Sequence, residues 1–345
     1  METEIIKVTP EDNEAIEKAA GLIKSGEVVA FPTETVYGLG ANGLDAQASA
    51  KIYRAKGRPS DNPLILHIDS VEMLSMVTKK MPPMAVKILS AFCPGPVTMI
   101  VPKKETIPDT ITGGLSTVGV RMPANPIARK LINLSGVPIA APSANISGRP
   151  SPTTAASVYR DMKGRIPLIL DGGAAGFGVE STIIDCTEEV PVILRPGAVT
   201  KEMLEEIFAE VRIDPALTKK DEIPKAPGMK YRHYAPKAPL VLFEGKKEAM
   251  LGALAKALKK YQGEGQKVGI IASSEVIKAL AYDAVYDYGS NKNLYAIASN
   301  LYNALLYFDD KDIDIILAEG TTQKGIGLAI MNRLKKASGQ NIIKI

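Results

Sequence analysis

Lys56 and Arg58 are two cations one residue apart in the run AKGRPSDNP, with Gly57 between them and Pro59 and Pro63 beyond. Fixing two positive charges in a loop held by Gly and Pro costs conformational freedom that a solvated surface does not need to give up. A phosphate chain suits the pair, because arginine grips it with a two-pronged fork while lysine acts as a point charge. A basic helix end complementing the helix dipole is the plainer account, and it explains Lys56 but not Arg58. The same grammar recurs downstream. Arg121 stands between GV and MP, Ser143 and Asn145 lie in PSANISG, Arg149 sits between Gly148 and Pro150, and Arg195 precedes Pro-Gly. Each is a polar or cationic residue in a Pro- or Gly-held loop at a strand end, and several such loops in one domain point to convergence on a polyanion. Ser143 and Asn145, two apart in an extended segment, share a side. There they could donate to phosphate, hold a metal-bound water, or only bond their own turn.

Other candidates carry less. His67 ends an apolar strand with Asp69 beyond it and reads equally as a ligand contact or a satisfied structural residue. Ser181, in GFGVESTIID, could bind a carboxylate or cap a turn; Glu180 has no partner carboxylate at useful spacing, so glycosidase-like chemistry is not supported. Gly38-Leu39-Gly40-Ala41-Asn42-Gly43 formally matches GxGxxG, but no long apolar helix opens on it. A tight turn with backbone N–H groups facing a ligand is expected there rather than a nicotinamide site. No GxxxxGK[ST] occurs, which excludes a P-loop NTPase. Cys93 and Cys186 are far apart, without CxxC or flanking His, and His67 and His233 complete the histidines; neither zinc nor a multi-His metal site is expected.

The elements that must position these residues can be read in order. EIIKV is a strand. Thr9-Pro10 opens a helix that repeats Ile16, Ala19, Ala20 and Ile23 and stops at Gly26. VVAF is a buried strand, followed by the Gly-rich turn and a helix from about Asp45 to Ala55 whose end delivers Lys56 and Arg58. LILHI and VTMIVP are strands, ETIPDTITGGLST an exposed loop, and TVGVRMP a strand ending in Arg121. A helix from Pro126, a strand running into the PSANISG loop, the helix TTAASVYRDM, the strand IPLILDGG, the pair STIIDCT and VPVILRPG, and the helix TKEMLEEIFAE follow. From Arg212 the period is lost in a basic, five-proline stretch whose aromatic groups gather at Tyr231, His233 and Tyr234. Strands and helices then alternate to the end, which predicts a small parallel α/β domain of Rossmann-like type. Its first strand-to-helix junction, FEGKKEA, lacks the dinucleotide glycines.

Composition bounds the rest. A chain of 345 residues is long for one core, so two domains are expected. No apolar run approaches a membrane span of about 18 residues, and the acidic start METEIIKVTPEDNE shows no signal pattern, so a cytoplasmic protein without membrane contact is expected. A net charge of +4 allows an anionic substrate or weak RNA contact and identifies neither. Aromatic residues at 5%, with no Trp, argue against a base-stacking platform.

FPTETVYGLGANG, KGRPSDNPLILHI, CPGPVTMIV, VGVRMPANP and APSANISGRPSPT together resemble the YrdC-type threonylcarbamoyl-adenylate synthases. GVESTIID and ILRPG continue the likeness, and APGMKYRHYAP with the α/β tail is similar to the long two-domain members, so the resemblance spans essentially the whole chain. It implies an α/β protein in three parts. A YrdC-like α+β domain over 1–211 carries a twisted mixed sheet and a basic concave site. A basic Pro-rich linker or lid over 212–238 and a Rossmann-like C-terminal domain over 239–345 follow. The implied activity is that of a nucleotidyltransferase condensing L-threonine, bicarbonate and ATP to threonylcarbamoyl-AMP and pyrophosphate. The product passes to the machinery that makes threonylcarbamoyladenosine beside the tRNA anticodon. Lys56, Arg58, Ser143 and Asn145 match the family's KxR and SxN elements. By the same likeness Lys56, Arg58, Asn62, Thr117, Ser143, Ser151, Arg195 and Tyr234 contact ATP, and Thr35, His67, Arg121 and Ser181 hold threonine. Mg²⁺ is expected on the nucleotide phosphates rather than on protein ligands, with no zinc and no nicotinamide. The linker is expected to fold over the site, with Tyr234 and Arg232 excluding water from a hydrolysable product. Two other classes fit the residues alone: a non-catalytic RNA-binding protein, and an adenylate-forming enzyme acting on another amino acid.

Overall fold

Unbroken apolar runs such as Val29–Phe31 are buried on both faces in the first unit. The computed structural model describes residues 1–217 and 233–345, which divide into two compact units: 1–147 with 151–217, and 148–150 with 233–345. The first unit runs through β1 (Glu4–Lys7), α1 (Asn13–Lys24), β2 (Val29–Phe31), β3 (Gly38–Asn42), α2 (Ala46–Lys56), β4 (Ile65–His67), α3 (Leu74–Val77), α4 (Pro83–Phe92), β5 (Val97–Pro102), α5 (Asp109–Thr112), β6 (Thr117–Arg121), α6 (Pro126–Ser135), β7 (Ile139–Ala140), α7 (Ala155–Met162), β8 (Leu168–Asp171), β9 (Thr182–Asp185), β10 (Val192–Arg195), α8 (Lys201–Glu205) and β11 (Arg212–Ile213). These strands form one mixed sheet in the order β1-β8-β2-β3-β7-β4-β6-β5-β9-β10-β11.

Successive strand residues enter opposite cores, as the two-residue period demands. Val29, Phe31, Leu168 and Leu170 pack under α1 and α6, against Ile16, Ile23, Leu131 and Ile132. Ala30 and Ile169 face the other layer, with Ile52 of α2, Ile88 of α4 and Val158 of α7. Ile16 and Ile23 are fully buried, and together they contribute roughly 3–6 kcal/mol of burial. The helical repeat in α1 is therefore the core face of one helix.

Four expectations change. Residues 38–43 are not a ligand-facing turn: Gly38–Asn42 is a strand paired with both β2 and β7. Its glycines answer to close packing, since a Cβ on Gly40 would lie 2.7 Å from both Ile139 Cγ2 and Phe31 Cε1. Thr9-Pro10 does not open α1; Asp12 Oδ2 accepts from Thr9 N (2.5 Å) and Thr9 Oγ1 (3.0 Å), and this turn delays the helix to Asn13. The segment 105–117 is not simply exposed, because Ile107, Ile111 and Thr112 are buried around α5. Arg212 and Ile213, expected in the linker, pair in parallel with β10, and a 3₁₀ turn at Pro215–Leu217 follows. Of the rest of the linker expectation, 218–232, with Tyr231 and Arg232, lies outside the described residues, and 233–238 belongs to the second unit.

The second unit alternates β12 (Leu240–Glu244), α9 (Lys247–Gly263), β13 (Val268–Ala272), α10 (Ser274–Leu280), β14 (Val285–Asp287), α11 (Leu294–Tyr307), β15 (Ile315–Glu319), α12 (Gly327–Ala337) and β16 (Ile342–Lys344). All its strand pairs are parallel, in the order β14-β13-β15-β12-β16. Two leftward crossovers followed by two rightward ones, all right-handed, put α9 and α10 on one face and α11 and α12 on the other. Arg149 belongs to this unit, through an ion pair to the buried Asp309 (2.9 Å) and a bond from Ala235 N to Gly148 O (3.0 Å). No sequence signal announces that excursion of Gly148–Pro150.

Candidate active site

The end of α2 sets the geometry. Asp45 caps the helix, its Oδ1 accepting from Gln47 N (2.7 Å) and Ala48 N (3.2 Å). Gly57 ends it at φ +62°, in the left-handed region; nothing lies within 4 Å of an added Cβ there, so conformation rather than space selects glycine. Lys56 is thereby the last helical residue, and it is buried. Its Nζ donates to the carbonyl oxygens of Ser143 (2.5 Å) and Asn145 (2.5 Å), with Asn145 Oδ1 at 3.4 Å. Ser143 Oγ donates to Asn145 Oδ1 at 2.5 Å, so the two side chains do share a side. Ser147 N closes the knot on Lys56 O at 2.9 Å.

All these acceptors are neutral, so they hold the ammonium in place without a salt bridge cancelling its charge. Burial first, and Arg58 second, hold the Lys56 pKa well below the usual lysine value, while Asp161 and Glu180 draw it upward. Arg58 donates from Nε to Asn62 O (3.3 Å) and from Nη2 to Pro63 O (3.0 Å), tightening the loop. Asn62 is buried and its Nδ2 has no hydrogen-bond partner, a donor that a ligand oxygen would satisfy. Thr117 begins β6; continuing the β4–β6 register from Ile65↔Gly119 brings it level with Pro63.

A second group forms where β6 ends. Arg121 lies beside His67 in the β4–β6 register, and both are buried. His67 Nδ1 is 3.2 Å from Ile65 O, and its ring meets Phe31 edge-on at 6.1 Å. Burial, then the Arg121 charge, push the imidazole down to about 3, so the ring is neutral at physiological pH. Arg121 Nη2 donates to Glu34 Oε1 at 2.6 Å, whereas Arg121 Nε is buried without a partner. Thr35, fully buried, follows Glu34 in the turn after β2, where its hydroxyl lies 2.9 Å from Thr33 Oγ1.

The turn after β2 links these residues to those before β9. Glu34 O accepts from Phe177 N (2.9 Å) and Thr35 O from Gly178 N (3.1 Å). Three residues on, Ser181 Oγ lies 2.8 Å from Thr98 Oγ1 and accepts from Arg195 Nη2 at 3.1 Å, while Arg195 Nε and Nη2 donate to Ser181 O at 3.1 and 3.0 Å. Ser151 Oγ donates to Glu180 Oε1 at 2.6 Å. The first unit thus gathers Lys56 with Ser143 and Asn145, His67 with Arg121, and Ser181 with Arg195. Arg149 does not join them, being held by Asp309 in the second unit. Tyr234 is also a residue of the second unit: buried at φ +64°, it stacks on Tyr302 with ring centroids 5.3 Å apart.

Sequence reasoning passed over two carboxylates. Glu180, read only for a second acid at useful spacing, accepts from Ser151. Glu34 carried one usable signal, an acid between two threonines in a Pro-opened turn. Among the described residues no three or more of His, Cys, Asp and Glu come together as metal ligands, and no helix is long and apolar enough to cross a membrane.

Residues 21–197 match the Sua5/YciO/YrdC family model, described as telomere recombination. Residues 199–339 match a model described as the threonylcarbamoyl-AMP synthase C-terminal domain. The threonylcarbamoyl-AMP synthase of Pyrococcus abyssi is 51% identical over 95% of both chains, and that of Bacillus subtilis 47% identical over 95% of this chain and 94% of its own. The crystal structure of P. abyssi Sua5 complexed with L-threonine superposes at a TM-score of 0.94, with 50% identity and complete coverage of both chains. A buried lysine knotted to an SxN loop, a buried arginine with a spare donor, and matches running from one unit into the other make this chain a member of the Sua5/YciO/YrdC family, in its two-domain form.

Proposed function

We propose that this chain is an L-threonylcarbamoyladenylate synthase, a cytoplasmic nucleotidyltransferase. It joins L-threonine, bicarbonate and ATP into threonylcarbamoyl-AMP, with release of water and pyrophosphate, for the threonylcarbamoyladenosine modification of tRNA. The observation that carries the reading is the coexistence, in one unit, of the Lys56–Ser143–Asn145 knot and the buried Arg121 with an unpartnered Nε.

Threonine's amine and bicarbonate give a carbamate, an anion that must attack the α-phosphorus of a polyanionic nucleotide. Repulsion between the two is the main obstacle, so neutralising charge and fixing position are what the protein must supply. Lys56, Arg58 and Arg195 provide the cations of a basic concave site. Asn62 offers its orphaned amide and Thr117 its hydroxyl to the nucleotide, and Ser143 and Ser151 would join them by turning hydroxyls that donate to Asn145 Oδ1 and Glu180 Oε1. Arg121 is suited to the threonine carboxylate, with neutral His67, Thr35 and Ser181 around the rest of the amino acid. No side-chain nucleophile is needed. The hydroxyl oxygen of Ser143 and the amide oxygen of Asn145 are acceptors that suit the water shell of a Mg²⁺ ion carried on phosphate oxygens better than direct ligation. Bound with the nucleotide, that ion lowers the phosphate charge. The second unit, all-parallel with helices on two faces, we read as Rossmann-like.

The test is pyrophosphate release from ATP with threonine and bicarbonate omitted in turn. Dependence on both is expected. Turnover without bicarbonate would remove the carbamate step, and no turnover with the complete mixture and Mg²⁺ would refute the synthase reading.

A further inference from the structure

The Glu34–Arg121 pair has a function beyond holding the turn after β2. Arg121 is buried and spends Nη2 on Glu34 while its Nε, equally enclosed, bonds nothing. A buried guanidinium donor left over is expensive unless a ligand acceptor takes it. Glu34 Oε2 also lies 3.4 Å from Asn125 N, the N-cap residue of α6, so the carboxylate is held between an arginine and the start of a ten-residue helix. A carboxylate and an arginine fixed side by side, with a donor to spare, present opposite charges to one small molecule. That is what an α-amino acid zwitterion displays: a carboxylate for Arg121 and an ammonium next to it.

We propose that Glu34 is a specificity residue of the amino-acid site, receiving the substrate's α-ammonium while Arg121 Nε takes its carboxylate. The proposal rests on the synthase reading and adds to it the group that distinguishes an amino acid from a plain hydroxy acid. Without such a receptor any small carboxylate would compete for Arg121. With it, a ligand lacking the amine leaves Glu34 on the arginine and gains less.

The experiment is calorimetric titration of the full chain, wild type and Glu34→Gln, with L-threonine and with (R)-3-hydroxybutyrate, which is threonine without its amine. Wild type is expected to prefer threonine. In Glu34→Gln the ratio of threonine to hydroxybutyrate affinity falls by about tenfold or more, the value of a charge-assisted hydrogen bond, and the hydroxy acid binds as well as before or better. If both ligands tighten together, Glu34 is only a competing counter-ion; if both weaken alike, it only shapes the turn. Either result overturns the proposal. Wild type failing to bind threonine at all would sink the synthase reading itself, a result distinct from a variant that changes nothing. Should Glu34→Gln not fold, Glu34→Asp, which withdraws the carboxylate by one methylene, must lower the same ratio, and an unchanged ratio refutes the idea.

Discussion

His67 gives the most quantitative prediction. Its imidazole is enclosed between Phe31 and the Arg121 charge, and burial with that charge takes its pKa from 6.5 to about 3. Between these values the unfolded chain binds a proton that the native protein refuses, so stability falls as pH drops through the window and is unaffected above it. Each pH unit inside the window removes about 1.4 kcal/mol. Going from pH 7 to pH 5 therefore lowers the unfolding free energy by about 2 kcal/mol through His67 alone, rising to about 4 kcal/mol near pH 3. Carboxylates titrate in the same range, so the contribution is isolated by difference. Urea denaturation of wild type, His67→Gln and His67→Phe at pH 7 and pH 5 is the assay, with the slopes checked for equality. Wild type should lose about 2 kcal/mol more than either variant over that interval. Equal losses would mean that His67 is charged in the folded protein, and the picture of a neutral ring beside Arg121 would have to be given up.

Lys56→Met leaves the carbonyls of Ser143 and Asn145 without their donor. It should lower turnover by about a hundred- to thousandfold while leaving threonine affinity nearly unchanged; equal loss of both, read from initial rates and calorimetry, argues against a role at the phosphates. Gly40→Ala forces a Cβ to 2.7 Å from Phe31 and Ile139 and should destabilise the fold by about 1–3 kcal/mol in urea, with ATP affinity of the folded fraction intact. Full stability with lost ATP binding would restore Gly40 to the ligand.

What was legible in the sequence divides along a physical line. The α2 terminus could be read because its determinants are local: Asp45 caps within three residues and Gly57 supplies a left-handed residue at the cap. The strands β2 and β8 could be read because an apolar run and its burial lie in the same few residues. The glycines of β3 could not, since the demand for a missing Cβ comes from Phe31 and from Ile139, nearly a hundred residues away. Nor could the Gly148–Pro150 excursion, whose cause is Asp309.

The site shows the same asymmetry within single hydrogen bonds. Lys56, Arg58 and Arg195 were legible as donors, since a donor of that kind has a residue name. Among their acceptors are the main-chain carbonyls of Ser143 and Asn145, of Asn62 and Pro63, and of Ser181. A carbonyl is the same in every residue, so no sequence records that it has been recruited. The choice has a consequence for chemistry. A carboxylate partner would orient a cation and also cancel much of its charge, whereas a carbonyl orients it and leaves the charge in place. Arg121 meets a carboxylate, that of Glu34, which orients it. In the proposed nucleotide site the ligand is an anion throughout, and the carbonyls that hold Lys56 leave in place the charge that would attract it. In the proposed amino-acid site the ligand carries both signs, and there a fixed carboxylate beside the arginine is an asset.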